Sequence, residues 1–437
     1  MALSTKPYKG ARDFYPEDKR LQQYMFGTWR RVVERFGYEE YDAPILEHLD
    51  IYQAKTSEEI VNDQTYTFED RGGRAVVIRP EMTPTVSRMV AAKRQELAYP
   101  LRWYSIPNLW RYERPQRGRL REHWQLNVDL FGVADCSAEV EMISLVDAIF
   151  KEFGAPKDSY ELRVNHRALV DYLLGEYLGL KPAATRDIRK LIDRLHKMDR
   201  SSFIGKLDKI LTANERQKGA TEQLLAILDA KKLKDLPLQA QKQPAAQELA
   251  ELLAQLKSAG ITNVSFDGTL MRGFDYYNGI VFEVFDADPG NNRSMLGGGR
   301  YDGLVGLFGV PPVPTVGFGW GDVTLMNFLG AHDLLPKLRT TTDVYVVLVG
   351  DTSQGAQKVI ASLRSGGVNV AVGASNKKIG DQFKTADKKG IENVLIIGKN
   401  ELEKERYTLK NLVSGQELEL DDKAIVVLLK KAAKAKL

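Results

Sequence analysis

The chain has 437 residues, 43% of them hydrophobic and 27% charged, with a formal net charge of +4 at pH 7. This composition is typical of a folded globular protein, and the length allows two or three domains with a large core. The small net charge does not require a nucleic-acid partner, although local basic patches could still bind one.

Cysteine and histidine usage excludes several kinds of site. Cys136 is the single cysteine, so a disulfide framework or a cysteine-based zinc site within one chain is excluded. The five histidines are not at metal-ligand spacing, and we expect no metal held by the protein alone. The first residues lack the apolar core of a signal peptide, and no run of about 18 apolar residues occurs. We therefore expect a cytoplasmic protein without a membrane segment.

Hydrophobic spacing in the first third of the chain predicts helices and strands. A helix is predicted over residues 18–36, and an extended segment with Pro44 follows, which suits a sheet edge or an interface. A second helix is predicted over residues 137–153, capped by Ser137. Between the two helices, strand patterns occur at residues 65–68, 75–79, 102–106 and 124–131.

The remainder of the chain changes character twice. Residues of about 171–256 are rich in Leu, Ala, Lys and Gln and predict a helical insertion, after which strand patterns return at 264–266 and 280–285. From about residue 343, strands and helices alternate, which predicts a small α/β domain with largely parallel strands. The final lysines form a basic tail, interpreted either as a solvated helix end or as an RNA contact.

A basic loop, residues 111–121, connects two predicted strands. Its arginines could form a solvated hairpin tip, or they could bind phosphate groups, whose oxygens match the guanidinium fork. Both interpretations remain open for the loop alone.

Three further segments place polar groups beside apolar ones. Arg79-Pro80-Glu81-Met82-Thr83 is either a helix start, with Thr83 as the cap before Pro84, or a site for a buried cation, which needs a counter-charge. On the strand that follows the basic loop, Gln125 and Asp129 share a face. The third segment contains Arg272, Tyr276 and Tyr277 and precedes a glycine-rich stretch, 297–303; alone, it would fit a turn that enters a strand.

In this order, the segments resemble histidyl-tRNA synthetases, a family of class II aminoacyl-tRNA synthetases. The resemblance implies an α+β fold, with an antiparallel sheet flanked by helices over residues 1–330 and the helical insertion within it. A C-terminal α/β anticodon-binding domain would occupy residues 331–437. The implied activity is ATP-dependent formation of histidyl-adenylate, followed by transfer to the 3′ end of tRNA-His. Mg²⁺ would accompany ATP, and the first helix with the strand ending at Pro44 would form a homodimer interface.

The resemblance also implies roles for single residues. Arg272 and Arg111 would be catalytic, with Arg111 on the α-phosphate of ATP and Glu113 on the adenine amino group. The residues that would bind histidine are Glu81, Met82, Thr83, Gln125, Asp129, Tyr276 and Tyr277. The tRNA acceptor end would face the loop residues Gln116, Arg117, Arg119 and Arg121.

Two positions depart from the family pattern. Asp129 stands where the family often has glutamate, and Thr324 stands where a phosphate-binding arginine is expected. The second departure leaves an alternative: a weakened histidine-binding paralogue that acts as regulatory subunit of ATP phosphoribosyltransferase. A scaffold that binds RNA through the fold alone is a third interpretation. Because Glu81, Arg111 and Arg272 are all retained, together with the C-terminal domain, we favour the active enzyme.

Overall fold

A computed structural model describes residues 3–53, 64–116, 118–195, 198–271, 276–291 and 293–434. The chain divides into two compact units, Met1–Leu335 and Pro336–Leu437. Each unit has a hydrophobic core of its own. Within the described ranges, no helix is long and apolar enough to span a membrane.

The first unit is built on a large, mainly antiparallel sheet. In chain order, the strands of this unit are β1 (Glu39–Glu40), β2 (Leu46–His48), β3 (Tyr66–Glu69), β4 (Ala75–Ile78), β5 (Leu101–Ser105), β6 (Asn108–Trp110), β7 (Glu122–Phe131), β8 (Tyr160–His166), β9 (Val264–Phe266), β10 (Ile280–Asp286), β11 (Ser294–Arg300) and β12 (Thr315–Gly321). The strand order of the large sheet is β1-β5-β7-β12-β11-β10-β8-β9, and β6 is also paired to β7. The pairs β1–β5 and β8–β9 are parallel. A smaller antiparallel sheet has the order β2-β4-β3.

Helices flank this sheet and occupy the chain between β8 and β9, which confirms the predicted fold class and the helical insertion. Outside the insertion, the α-helices are Pro16–Arg35, Asp50–Gln53, Thr83–Ala92, Ser137–Glu152 and Asp322–Ala331. Between β8 and β9 they are Arg167–Tyr172, Pro182–Asp193, Arg200–Ile210, Ala213–Gln217, Ala220–Asp229, Leu238–Gln241 and Pro244–Ser258, with a π-helical turn at Leu173–Tyr177.

The two faces of the large sheet differ because side chains alternate along each strand. Leu126, Val128 and Leu130 of β7 are buried in the main core. Helices Pro16–Arg35 and Ser137–Glu152 supply further side chains to the same core, in which Trp29 lies against Trp320 with ring centroids 6.1 Å apart. The alternate residues of β7 therefore point to the opposite, polar face.

Local details differ from the sequence predictions at two helix starts. The predicted cap Ser137 is already the first helical residue, and its N–H donates to Asp135 Oδ1 at 2.9 Å. The prediction was wrong because the carboxylate two residues earlier satisfies the free N–H group. Thr83 is likewise the first residue of its helix, not the cap before it.

Strands β11 and β12 were not predicted as strands. Their centres contain Gly297, Gly298 and Gly299 in one and Gly317 and Gly319 in the other, and glycine disfavours strands. Close packing explains the glycines: a Cβ on Gly298 would lie 2.6 Å from the Phe282 ring and 2.6 Å from Phe318 Cβ.

The second unit is a five-stranded α/β domain. Its strands are β13 (Val344–Leu348), β14 (Val370–Val372), β15 (Asn393–Ile397), β16 (Tyr407–Asn411) and β17 (Glu417–Leu420), in the sheet order β14-β13-β15-β16-β17. Strands β14, β13 and β15 are parallel, as predicted, whereas β16 and β17 add an antiparallel hairpin that was not predicted. The helices are Gln357–Ser365, Ile379–Lys388, Lys399–Lys404 and Asp422–Lys434.

Candidate active site

The polar face of the large sheet contains a strip of glycines next to polar side chains of β7. In the sheet register, Gly317, Gly319 and Gly321 lie opposite Asp129, Asn127 and Gln125, respectively. A Cβ on Gly319 would lie 2.7 Å from Gln125 Nε2, and a Cβ on Gly317 would collide with Asp129 Oδ1. Because the glycines of this glycine strip have no side chains, the side chains of β7 have room to lie across β12.

Asp129 is a buried carboxylate with one oxygen engaged and one open. Tyr301 donates a hydrogen bond to Oδ1, whereas Oδ2 has no hydrogen-bond partner among the described residues. Burial raises the pKa of Asp129 to about 7. A buried polar atom without a partner is rare in folded proteins, so Oδ2 is suited to accept from a bound ligand.

Two further buried polar atoms belong to the same region, and the sequence analysis missed both. Tyr41 Oη and Ser105 Oγ are buried close to each other, and neither has a further hydrogen-bond partner within the described part of the chain. Ser105 of β5 lies opposite Asn127, and Trp103, two residues earlier, lies opposite Asp129. The pKa of Tyr41 is raised well above its ordinary value, first by burial and then by the charge of Asp129.

Three buried tyrosines form a ring cluster beside Asp129. The ring centroid of Tyr276 lies 4.7 Å from that of Tyr277 and 5.5 Å from that of Tyr301. Tyr276 Oη donates to Glu81 Oε2 at 3.2 Å, and Glu81 itself is only 3% exposed. The ring cluster therefore connects two buried carboxylates, Glu81 and Asp129.

Met82 and Thr83 belong to the turn that holds Glu81. Met82 is fully buried, and the Thr83 carbonyl accepts from Ser87 Oγ at 2.8 Å within the following helix. Tyr52 donates to the Glu81 carbonyl at 3.2 Å, which fixes the backbone of this turn. Direct contacts of Met82 and Thr83 with a substrate stay predictions.

The basic loop is attached to the same turn. Arg111 Nε donates to the Pro80 carbonyl at 2.9 Å, one residue before Glu81. Arg119 Nη1 lies 3.5 Å from Glu113 Oε2. The Arg121 guanidinium is buried in the loop, where it lies 4.0 Å from the ring centroid of Tyr112 and donates to the Glu113 carbonyl. Arg121 thus shapes the loop, and a contact between Arg121 and tRNA stays a prediction.

His123 marks the cationic character of this end of the sheet. Its pKa is lowered to about 3, first by burial and then by the positive charges of Arg111 and Arg12. The imidazole is therefore neutral near pH 7. The sequence pattern did not indicate that His123 would lie near these arginines, because Arg12 is far from it along the chain.

Known protein families match most of the chain. Residues 10–321 match the family described as Histidyl-tRNA synthetase, and residues 343–432 match the Anticodon binding domain. A histidine–tRNA ligase of Leptospira biflexa is 44% identical over 414 residues, which cover 94% of each chain. The chain belongs to the histidyl-tRNA synthetase family.

More distant members of the family agree in sequence and in fold. A histidine–tRNA ligase of Thermoplasma volcanium is 36% identical over 410 residues, 94% of each chain. The crystal structure of histidyl-tRNA synthetase from Nostoc sp. PCC 7120 has a TM-score of 0.80 at 24% identity and covers 99% of this chain and 100% of its own. The regulatory-subunit alternative is therefore not favoured.

Apart from Met82 and Thr83, which belong to the turn described above, the predicted site residues fall into three groups. The structure brings together the proposed histidine-binding residues Glu81, Gln125, Asp129, Tyr276 and Tyr277 on or beside the polar face. The loop holds Arg111, Glu113, Gln116, Arg119 and Arg121. The predicted residues Arg272 and Arg117 lie outside the described residues.

Arg300, next to Tyr301 in the glycine-rich stretch, points away from the pocket. It forms a buried ion pair with Glu139, with two nitrogen–oxygen distances of 2.7 Å, and donates to the Val133 carbonyl at 3.0 Å. Arg300 thus ties the sheet to helix Ser137–Glu152. Side chains alternate between the two faces along a strand, so the neighbours Arg300 and Tyr301 point to opposite faces of the sheet. This could be inferred only once β11 was known to be a strand.

Proposed function

We propose that this chain activates L-histidine with ATP and transfers the histidyl group to the 3′ end of tRNA-His. The observation that supports this most is the pocket itself: Glu81 and Asp129 are both buried and are connected by the ring cluster Tyr276, Tyr277 and Tyr301. Such a pocket matches a small ligand with an ammonium group, an aromatic ring and a ring N–H.

Each part of histidine has a proposed partner. The substrate ammonium lies near Glu81, since a buried cation needs a counter-charge. An imidazole N–H donates to Asp129 Oδ2, the oxygen left open by Tyr301. Tyr277 and Gln125 complete the pocket, and Thr83 adds a hydrogen bond. A pocket of this kind discriminates strongly, because a ligand without the ring nitrogens leaves buried polar groups unpaired.

The proposed reaction has two steps and no covalent protein intermediate. The histidine carboxylate attacks the α-phosphorus of ATP, pyrophosphate leaves, and histidyl-adenylate forms. The terminal ribose hydroxyl of the tRNA then attacks the acyl carbon, and AMP leaves. Arg111 and Arg272 stabilise the charge that develops on the phosphate, and Glu113 accepts from the adenine amino group.

Mg²⁺ is proposed only as the ion that accompanies ATP. Within the described ranges, no group of three or more His, Cys, Asp or Glu side chains could hold a metal ion. A magnesium ion would therefore be bound mainly through phosphate oxygens, and no step above depends on it.

The remaining assignments concern the partners. Gln116, Arg117, Arg119 and Arg121 would face the tRNA acceptor end, and the unit Pro336–Leu437 would bind the anticodon region. A homodimer through helix Pro16–Arg35 and the segment ending at Pro44 is proposed from the resemblance alone. Cytoplasm, where ATP and tRNA meet, is the proposed location.

Histidine-dependent ATP–pyrophosphate exchange, measured without tRNA, tests the first step. Labelled pyrophosphate should enter ATP only when histidine is present, and histidinol or other amino acids should not replace histidine. Charging of tRNA-His then tests the second step. A purified, folded protein that shows no exchange would refute the proposed function.

A further inference from the structure

The glycine strip connects the histidine pocket to a cationic end of the sheet. Asp129 and Gln125 lie four residues apart on β7, which corresponds to about 13 Å along a strand. At the Gln125 end, β7 begins, β12 ends at Gly321, and β11 begins at Ser294. The basic loop enters β7 at the same end.

Thr324 lies at this end and supplies no charge. Its hydroxyl oxygen is 2.7 Å from the Met295 carbonyl oxygen and 2.9 Å from the Gly321 carbonyl oxygen. Its methyl group faces the basic loop, because a Cβ on Gly118 would lie 3.8 Å from Thr324 Cγ2. The loop and the start of β11 thus meet beside Thr324.

Arg293 is located at this meeting point, two residues before Met295. It is exposed, and its Nη2 donates to Gln116 Oε1 in the basic loop at 3.1 Å. The partner is a neutral amide, and no ion pair of Arg293 is found among the described residues. Among the described residues the guanidinium therefore has no compensating negative charge, and its hydrogen bond to Gln116 holds it at the loop.

Two other arginines nearby, Arg12 and Arg119, are compensated by acidic groups. Arg12 Nη2 lies 2.7 Å from Asp322 Oδ2, and Asp322 is buried with its other oxygen accepting from the Trp124 N–H. Arg119 lies 3.5 Å from Glu113. Of these three arginines, Arg293 alone has no acidic partner in the described structure and can offer an unbalanced charge to a polyanion.

We propose that Arg293 contacts the triphosphate of ATP and supplies the cation that Thr324 does not. On binding, the nucleotide phosphate replaces or joins Gln116 as the acceptor for Arg293. This inference rests on the proposed function, because it concerns ATP in the activation step. A phosphate of the tRNA backbone has the same chemistry, and the experiment separates the two.

The test uses the full chain with Arg293→Ala, Arg293→Lys, Thr324→Arg and the double variant Arg293→Ala/Thr324→Arg. In pyrophosphate exchange without tRNA, Arg293→Ala should have a kcat/KM for ATP roughly 10- to 150-fold lower than the unaltered protein. This is the range expected for the loss of one charged hydrogen bond. KM for histidine should stay within about twofold, and lysine should restore part of the loss. Thr324→Arg in the double variant should also restore activity, since it places a guanidinium beside the same loop.

Arg200→Ala is the matched control, because Arg200 is exposed and paired with Asp229 in the helical insertion. It should leave exchange unchanged. Normal ATP kinetics in Arg293→Ala would overturn the inference. If tRNA charging were nevertheless slower in that variant, Arg293 would be assigned to the tRNA. Equal losses in Arg293→Ala and the double variant would overturn it as well, since they would show a local structural role. No exchange by the unaltered chain would overturn the proposed function together with this inference.

Discussion

Tyr301 and Asp129 are joined by a hydrogen bond that passes over Gly317 of the strand between them. Tyr301 follows β11, Asp129 belongs to β7, and β12 separates the two. A Cβ on Gly317 would collide with both the phenol oxygen and the carboxylate. The bond occupies one oxygen of Asp129 and leaves the other, Oδ2, for a ligand.

Replacing Asp129 with asparagine should change how stability depends on pH. Burial raises the pKa of Asp129 from 3.8 to about 7, so the folded state holds this proton more tightly than the unfolded state does. The native protein therefore loses stability as pH rises from about 4 to about 7, by an amount on the order of 4 kcal/mol. Asp129→Asn removes this loss, and its melting temperature relative to the unaltered protein should rise across the same pH range.

Asp135 provides a control of opposite sign. Hydrogen bonds from Ser137 lower the pKa of Asp135, so its contribution to stability is present above the ordinary Asp pKa and is lost as pH falls. The melting temperature of Asp135→Asn relative to the unaltered protein should fall as pH rises toward about 4 and should stay level above that pH. Parallel pH curves for Asp129→Asn and the unaltered protein would contradict the assignment of a raised Asp129 pKa.

Tyr276→Phe should weaken histidine binding without a matching effect on ATP. The variant removes the hydroxyl that donates to Glu81 Oε2 at 3.2 Å and keeps the ring. Loss of a hydrogen bond to a charged group should raise KM for histidine roughly tenfold or more. Steady-state exchange with histidine and ATP varied in turn measures both constants.

Tyr160→Phe is the matched control for that experiment. Tyr160 donates to Asp147 Oδ1 at 2.6 Å on the core side of the sheet, so the same phenol–carboxylate bond is lost away from the pocket. This variant should lower the melting temperature and leave KM for histidine unchanged. Equal changes in both KM values for Tyr276→Phe would argue against a histidine contact.

Gly317→Ala should disable the pocket. The added methyl would displace Tyr301 or Asp129, and overpacking of this kind costs about 1–3 kcal/mol. If that cost falls on the histidine pocket, kcat/KM for histidine should fall roughly 5- to 150-fold.

Gly205→Ala is the comparison for Gly317→Ala. Gly205 lies within helix Arg200–Ile210, where a Cβ would meet nothing within 4 Å, and alanine favours helix over glycine. It should raise stability slightly and leave histidine kinetics unchanged. Unaltered kinetics in Gly317→Ala would show that the glycine strip is not needed for the pocket.

Removing residues 336–437 should separate the two steps of the proposed reaction. The unit Met1–Leu335 contains the whole described pocket and its own core. We expect the shortened protein to keep histidine-dependent exchange and to charge tRNA-His much more slowly. Charging at the full-length rate would contradict an anticodon-binding role for the second unit.

Several features of the fold and the site could be predicted from local patterns. Helical spacing predicted the long first helix, now Pro16–Arg35, and period-two alternation predicted that Gln125 and Asp129 share a face. The glycine-rich strands β11 and β12 could not be predicted, because glycine lowers strand propensity. Their glycines are explained only by the neighbours that a Cβ would meet.

The sequence by itself determined the helical insertion, which follows from composition and periodicity along the chain. Its resemblance to histidyl-tRNA synthetases, carried by short motifs, predicted the fold class and the candidate residues of a histidine and nucleotide site. Only the tertiary structure decided that Tyr301 bonds Asp129, 172 residues away, and that Arg293 bonds Gln116, 177 residues away. Strand order and register set such contacts. Both depend on pairing between segments that are distant along the chain, and no local sequence pattern predicts that pairing.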